Sequence, residues 1–370
     1  MKKASFPLRV GLIGCGNISN AYFHGAAPFA DYVRITACAD LDPSRAKAKA
    51  DEHQVAKVCT VSELLKDPDI DIVLNLTVPK AHAEVNSAIL RAGKHAYCEK
   101  PFSLSTKEGR KVLALAKKSK RQVGCAPDTV LGGGIQTCRK LIDDGAIGKP
   151  VAATANMVCH GHEHWHPGPQ FYYEVGGGPL FDMGPYYLTS LVTMLGPAKS
   201  VIASAKSTFK TRRITSQPLN GKVIKVETPT HLSGVVEFAN GASATVTMSF
   251  DVWQHHLPLL EVYGTKGSIR CPDPNTFGGE VELWTEAGKE WKKIPLTHSD
   301  QTGRGFGLAE MAYSIGKHRA ARMNGDMALH VVDIMEAFHV SAKAKKQVQL
   351  KSGCKQPKAL PAGLALGRVV

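Results

Sequence analysis

The sequence lacks the marks of several protein classes. No apolar run approaches the ~18 residues of a membrane span. The start, MKKASFPLRV, has two lysines but no apolar stretch of about 7–15 residues before Gly11, so no secretory signal is expected. The nine cysteines are odd in number and form no C-x-x-C pair. That pattern fits neither a disulfide framework nor a zinc module and points to a reducing, cytoplasmic setting. Cys15, Cys38, Cys98 and Cys125 fall in or beside apolar segments, where cysteine acts as a small hydrophobe. There is no internal repeat and no low-complexity stretch. Acids are scarce: 32 Asp and Glu face 46 Lys and Arg, a net charge of +14. Residues 341–370 carry six lysines, one arginine and no acid, which is half of that excess. No basic groove with interleaved aromatics accompanies them, so neither nucleic acid nor membrane is expected as a partner, and the tail reads as a solvated, frayed end.

What is present is an alternation. At 370 residues two domains are expected. Strand-like segments at Arg9–Ile13, Val33–Ala39, Ile70–Leu76, His95–Cys98 and Gln122–Ala126 are separated by helical stretches. Asp42-Pro43 suits a helix N-cap followed by the first helical position. Thr60–Glu63 and Ser105–Glu108 read as capping boxes, and Gly93 closes a helix over residues 81–92. Apolar strands alternating with helices imply a parallel sheet covered on both faces, which binds ligands at the carboxyl ends of its strands. Past residue 127 the texture changes. A helix over residues 135–144 leads into a β-rich region. There His231–Phe238, Asn240-Gly241 and Ala242–Phe250 predict a hairpin with a type I′ turn. Further strands are expected near Leu259–Tyr263, Ser268–Arg270 and Val281–Trp284, and helices over 307–322 and 327–344. The expected architecture is an α/β Rossmann domain over 1–127, then an α+β domain over 128–370 with an open, mostly antiparallel sheet.

The segment from Gly11 to Ser19 contains G-x-G-x-x-S. Gly14 permits a tight turn, Gly16 lets the backbone approach a pyrophosphate, and Ser19 is small enough for close helix packing. The helix opening at Asn17 and Ile18 would point free N–H groups at the phosphates. Asp40 stands 24 residues after Gly16, at the end of the second strand. A carboxylate there accepts the ribose hydroxyls and repels a 2′-phosphate, which favours NAD over NADP. Arg45 weighs the other way.

At the end of the strand His95–Cys98 comes Glu99-Lys100-Pro101. Taken alone, Lys100 reads most plainly as a surface lysine. Desolvated beside a cationic nicotinamide ring, it would instead have a lowered pKa and exchange a proton with an alcohol or ketone. The ordered set GLIGCGNIS, Asp40, NLTVPKAHAE, CEKP and GGGPLFDMGPYY resembles the Gfo/Idh/MocA family, over residues 8–345. That family is named for glucose–fructose oxidoreductase, inositol dehydrogenase and a rhizopine-catabolism protein. The resemblance implies a Rossmann domain followed by an open-sheet domain, with substrate between them and an open sheet that commonly mediates dimers or tetramers. It implies that Thr77, Pro79, His82, Glu99 and Lys100 line the cofactor and that Lys100 is catalytic. The family's hallmark D-x-G-x-H here reads Asp182-Met183-Gly184-Pro185-Tyr186, with tyrosine in the histidine's place. Lys100 is therefore expected as acid/base, with Asp182 and Tyr186 on one helix face orienting the substrate.

His160-Gly161-His162-Glu163-His164-Trp165-His166 contains a literal H-E-x-x-H. The zinc-protease pattern needs a helix, and Gly161 before it with Pro167-Gly168-Pro169 after it leave no room for one. In an extended chain the four histidines would share a face, a geometry open to a metal that the family does not usually employ. The preferred reading is a substrate loop, with Trp165 under a sugar ring and His164 and His166 as hydrogen-bonding groups; a plain solvated loop is the alternative. Asp128 is a further candidate at the cleft, and Trp253 is assigned to sheet packing. The expected activity is NAD-dependent oxidation of a secondary hydroxyl on a sugar, glycoside or cyclitol, or the reverse reduction. Relatives that hold NAD tightly and cleave glycosides, and a yeast galactose-pathway repressor on the same fold, mark the alternatives.

Overall fold

The computed structural model describes residues 6–370, so the first residues of the segment read above for a secretory signal lie outside it. The first half is built on a six-stranded parallel sheet. Its strands are β1 (Leu8–Ile13), β2 (Val33–Ala39), β3 (Lys57–Val58), β4 (Ile72–Asn75), β5 (His95–Cys98) and β6 (Val123–Cys125). Their order is β3-β2-β1-β4-β5-β6. Among the described strands of this sheet, β3 alone was not read from the sequence: it is a two-residue edge strand with both side chains exposed. Helices α1 (Ile18–Ala26), α2 (Pro43–Glu52), α3 (Val61–Lys66), α4 (His82–Arg91) and α5 (Thr106–Ser119) connect the strands. Local chemistry sets their starts. Asp42 accepts from Ser44 N ahead of Pro43, and Thr60 with Glu63 forms the reciprocal capping box. Ser105 accepts from Glu108 N, but the Glu108 carboxylate turns to Leu104 N, so only half of the second box forms. Strand order reverses beside β1, which opens a crevice at the carboxyl edge between β1 and β4.

After β6, α6 (Gly133–Asp143) leads into a nine-stranded sheet of order β16-β15-β14-β13-β7-β12-β11-β8-β17. Its members are β7 (Pro150–Val158), β8 (Ala198–Lys206), β11 (His231–Phe238), β12 (Ser243–Ser249), β13 (Leu260–Gly264), β14 (Gly267–Cys271), β15 (Val281–Thr285), β16 (Trp291–Ile294) and β17 (Val348–Gln349). All neighbours are antiparallel except β7 and β12, which run parallel. A separate ribbon pairs β9 (Thr211–Arg213) with β10 (Val223–Lys225). Helices α7 (Gly178–Asp182) and α8 (Gly184–Leu195) lie between β7 and β8 in the chain. Two last helices, α9 (Phe306–Gly316) and α10 (Gly325–Ala344), return to the first sheet. There α9 packs against α1 and β6, and α10 wedges between α5 and β8.

Three expectations are corrected. The β11–β12 hairpin does not use a type I′ turn. Phe238 O accepts from Gly241 N, Phe238 N donates to Ala242 O, and of Ala239, Asn240 and Gly241 only Gly241 has positive φ. Ala239 makes the loop three residues long, so a single left-handed glycine suffices. Helix α9 stops at Gly316, six residues early, and His318 has φ 53°. The basic tail is not frayed. Here β17 pairs with β8, Leu360 and Val369 are buried, and Arg322 donates to the Val370 carbonyl at 2.7 Å. Its lysines point outward while its backbone and apolar residues dock.

Candidate active site

The cofactor crevice begins at the turn after β1. Gly14 has φ +98°, and a Cβ there would lie 2.6 Å from the Leu76 carbonyl. Only glycine lets the turn pass this close to β4. Gly16 differs: a Cβ there would meet nothing within 4 Å. Its bare backbone faces open space at the start of α1. Asn17 provides no side-chain cap, so the first N–H groups around Ile18 keep their donor capacity. Ser19 is fully buried and donates to Gly16 O at 2.7 Å, which holds the turn against the helix. These features fit a dinucleotide pyrophosphate.

At the end of β2, Asp40 accepts from Cys15 N (2.6 Å) and Asp42 N (2.9 Å). Each oxygen keeps a lone pair for a ribose hydroxyl. Arg45 is exposed and pairs with Asp42 at 3.5 Å, not with Asp40. Leu41 (97% exposed) and Val78 (66%) leave apolar surface after β2 and β4. Thr77 and Pro79 line the same edge, half-buried.

Two expected cofactor ligands turn inward. His82 is 1% exposed, and its ring nitrogens lie 2.7 Å from Pro101 O and 2.8 Å from Thr77 O. Carbonyls only accept, so both ring nitrogens carry hydrogen. Burial opposes that charge, but Cys98 and the two carbonyls outweigh it and hold the group up to about 9. Glu99 accepts from Tyr22 Oη and from Lys100 N, both at 2.8 Å. His82 and Glu99 thus brace the loops that carry Thr77 and Lys100. Asp128 is corrected likewise. It is 1% exposed, and its Oδ2 accepts from Gly305 N and Gly307 N, pinning the entry of α9 to the exit of β6.

Lys100 reaches across to the second half. Its Nζ donates to Asp182 Oδ1 at 3.0 Å and to Asp182 O at 2.5 Å. The carbonyl is free because Asp182 and Tyr186 are not on one helix, as expected, but on two. Helix α7 ends at Asp182, and Tyr186 N bonds back to Met183 O. Burial favours a neutral lysine, yet the Asp182 carboxylate, with Tyr186 and Glu99 behind it, pushes Lys100 above the ordinary lysine range. The lowering expected from the sequence is tied to a bound nicotinamide; here the carboxylate 3.0 Å away pushes Lys100 the other way. Asp182 is in turn held down to about 2: burial opposes, and Lys100 followed by His162 outweighs it.

Tyr186 is 4% exposed and sits between two cations. Lys100 Nζ lies 5.2 Å from its ring centre, and Arg304 Nη2 donates to its Oη at 2.9 Å. Arg304 also donates to Asn275 Oδ1. Nothing in the polar run Ser299–Gly305 marks that arginine in advance.

The histidine segment is a set of turns, not an extended strand, so its histidines do not share a face. His160 stacks on Trp253 at 3.3 Å between ring centres, and Trp253 is 80% exposed rather than packed in the sheet. His164 and Trp165 are exposed, and His166 is half-buried, its Nδ1 accepting from Gly168 N. Among the described residues no three His, Cys, Asp or Glu are grouped to hold a metal. The histidine that meets the lysine–aspartate pair is His162, which was not singled out. Its Nε2 lies 3.6 Å from Asp182 Oδ2. The alternating run of four histidines hid which one would turn inward.

Comparison with known proteins agrees with this fold. A family model described as oxidoreductase family, NAD-binding Rossmann fold, matches residues 8–126, and one described as GFO/IDH/MocA C-terminal domain matches residues 135–270. The chain is 27% identical to a 1,5-anhydro-D-fructose reductase of Ensifer adhaerens, over 70% of this chain and 74% of that one. It is 26% identical to an inositol 2-dehydrogenase of Rhizobium meliloti, over 74% and 78%. Among solved structures, an NAD-binding oxidoreductase from Klebsiella pneumoniae superposes with a TM-score of 0.82 at 20% identity, covering 94% of this chain and 99% of that one. A levoglucosan dehydrogenase in complex with NADH superposes with a TM-score of 0.80 at 21% identity, covering 93% and 99%. With both halves matched in order over more than half its length, the chain belongs to the GFO/IDH/MocA family and is an oxidoreductase with a nicotinamide-binding Rossmann half.

Proposed function

We propose that the protein moves hydride between NAD and a secondary hydroxyl or keto carbon of a sugar, glycoside or cyclitol, with Lys100 handling the oxygen's proton. The observation that carries this reading is the Lys100–Asp182 ion pair, set at the carboxyl edge of the parallel sheet, the edge at which α1 also starts uncapped. A bound nicotinamide supplies or takes the hydride. The protein's own groups do the rest. Gly14, Gly16, Asn17 and Ile18 form the phosphate cradle, and Asp40 takes the ribose hydroxyls, with Thr77 and Pro79 along the same edge. In reduction, the Lys100 ammonium donates a proton to the carbonyl oxygen as hydride reaches the carbon. In oxidation the neutral amine takes the hydroxyl proton. Asp182 and Tyr186 orient the substrate hydroxyls. Trp165, 56% exposed, offers its face to a sugar ring, with His164 and His166 at the rim.

Asp40 supports NAD over NADP, because a 2′-phosphate would be brought against its carboxylate. The names of the relatives guide the trial panel: inositols, levoglucosan, monosaccharides and glucosides with NAD or NADP, and 1,5-anhydro-D-fructose and 3-keto glucosides with the reduced cofactors. Reduction of NAD by at least one polyol, or oxidation of NADH by one of the ketones, is expected. No turnover of any member, with NAD binding intact, overturns the assignment.

A further inference from the structure

Asp182 is gripped from two sides. On one side lies Lys100. On the other lies His162, from a loop 20 residues earlier in the chain. The imidazole is fixed in its tautomer by a neighbour. The indole Nε1–H of Trp165, which only donates, lies 3.3 Å from His162 Nδ1. Nδ1 therefore accepts and Nε2 carries the hydrogen, aimed at Asp182 Oδ2. The ring is packed in place against Tyr172 and Phe250, with centres at 4.5 and 4.6 Å.

The loop itself is anchored. Glu163, the next residue, is buried and accepts from Arg212 Nη1 at 2.9 Å and from Tyr173 Oη. Its carbonyl accepts from Thr215 N and Ser216 N. Arg212 also binds Asp251, so one guanidinium from β9 joins the loop to the end of β12. Glu163 is thus fixed, and with it the turn that carries His162.

Building on the reading above, we propose that His162 is the positioning residue for Asp182, completing a Trp165–His162–Asp182–Lys100 chain that supplies from a loop the imidazole lacking at position 186. The chain holds Asp182 Oδ1 on the Lys100 ammonium and keeps Oδ2 from rotating away. A separation of 3.6 Å is long for a hydrogen bond, and such contacts tighten when a substrate closes the site. Tyr186 is not the alternative partner: its Oη accepts from Arg304 Nη2 and makes no hydrogen bond to the Asp182 carboxylate. The groups facing Asp182 from the surrounding elements are Lys100, His162, His166, Tyr172, Tyr186 and Cys159.

Two measurements test the chain. The first needs no substrate. In histidine 15N spectra of the full-length protein, His162 is expected as the Nε2–H tautomer, with its Nε2 resonance displaced by Asp182→Asn and its tautomer balance disturbed by Trp165→Phe. A Nδ1–H tautomer, or a resonance indifferent to Asp182→Asn, overturns the proposal. The second uses whichever polyol the wild-type protein oxidises. His162→Leu is expected to lower kcat at least ~10-fold and to move the acid limb of kcat/KM to higher pH, because that limb is the loss of the Lys100 proton, and an Asp182 carboxylate no longer shared with His162 holds that proton more firmly. His162→Gln, which keeps a donor, should restore most of the rate. A rise in KM alone, with kcat and the limb unmoved, assigns His162 to plain substrate contact and overturns the positioning role. If wild type oxidises no polyol and reduces no ketone of the panel, the activity assignment fails, and the spectra still decide the chain.

Discussion

The two walls of the cleft are made by different means. The cofactor wall is mostly backbone: a glycine turn, an uncapped helix start and one carboxylate at a strand end, all within residues 11–40. The substrate wall is mostly side chains from distant places. Lys100 and Asp182 are 82 residues apart, and Arg212 and Glu163 are 49 apart. Backbone sites depend on conformation and tolerate little change of residue size. Side-chain sites depend on ion pairs, each of which stays in place only while its partner does.

The largest effect is expected where the walls meet. Lys100→Ala should lower turnover by ~10³-fold, within the range for loss of a proton-transfer group. NAD affinity should stay within about two-fold, because the phosphate cradle is untouched. Near-normal turnover with intact NAD binding would falsify the role given to Lys100.

Next comes Arg212→Met, which leaves Glu163 and Asp251 buried without their cation. The side chains of all three are 10% exposed or less. Breaking such a group typically costs about 3–5 kcal/mol. Urea unfolding should show a loss on that scale, along with a lowered kcat as the His162 loop loosens. A loss below ~1 kcal/mol would mean the network is dispensable and the comparison of walls is drawn too sharply.

The backbone wall makes its own contrast at two glycines. Gly14→Ala sets a Cβ against the Leu76 carbonyl at positive φ, so both folding stability and NAD binding should fall. Gly16→Ala meets no protein atom, so the melting temperature should hold while NAD affinity drops ~10-fold or more. Calorimetry beside an NAD titration separates them. Equal damage at both positions would remove the distinction between a glycine needed by the fold and one needed by the ligand.

This division also explains what was legible in the sequence. The cofactor wall was legible because its signals are local: G-x-G-x-x-S, the Asp42-Pro43 cap and the Thr60–Glu63 box each act within a few residues. The second sheet was legible where alternation was clean, as in β11 and β12. It was missed at β7, whose Pro150–Val158 run is rich in alanine, and at β8, where polar residues interrupt the pattern. At the substrate wall the residue types were legible but their partners were not. Nothing near His162 says that it will face Asp182 while His160 stacks on Trp253. Asp128 read as a cleft residue because it follows β6, yet the backbone of a loop some 177 residues later claims it. The break at Met183, which frees the Asp182 carbonyl for Lys100, was hidden by a motif that reads as one helical turn.

The smallest expected effect sharpens the one side-chain element of the cofactor wall. Asp40 accepts two backbone N–H groups and so has a structural as well as a recognition role. Asp40→Asn keeps an acceptor toward Cys15 N and removes the charge. The NAD to NADP preference, measured as the ratio of kcat/KM, should fall ~10-fold, about 1.4 kcal/mol. Arg45, already beside the site and paired only loosely with Asp42, is placed to meet the added phosphate. The double variant Asp40→Asn/Arg45→Ala should then lose the gain in NADP use while keeping the weakened NAD use. If Asp40→Asn leaves the ratio unchanged, charge at this position does not select the cofactor. Asp40 would then belong with Gly14, as a residue the turn needs for itself.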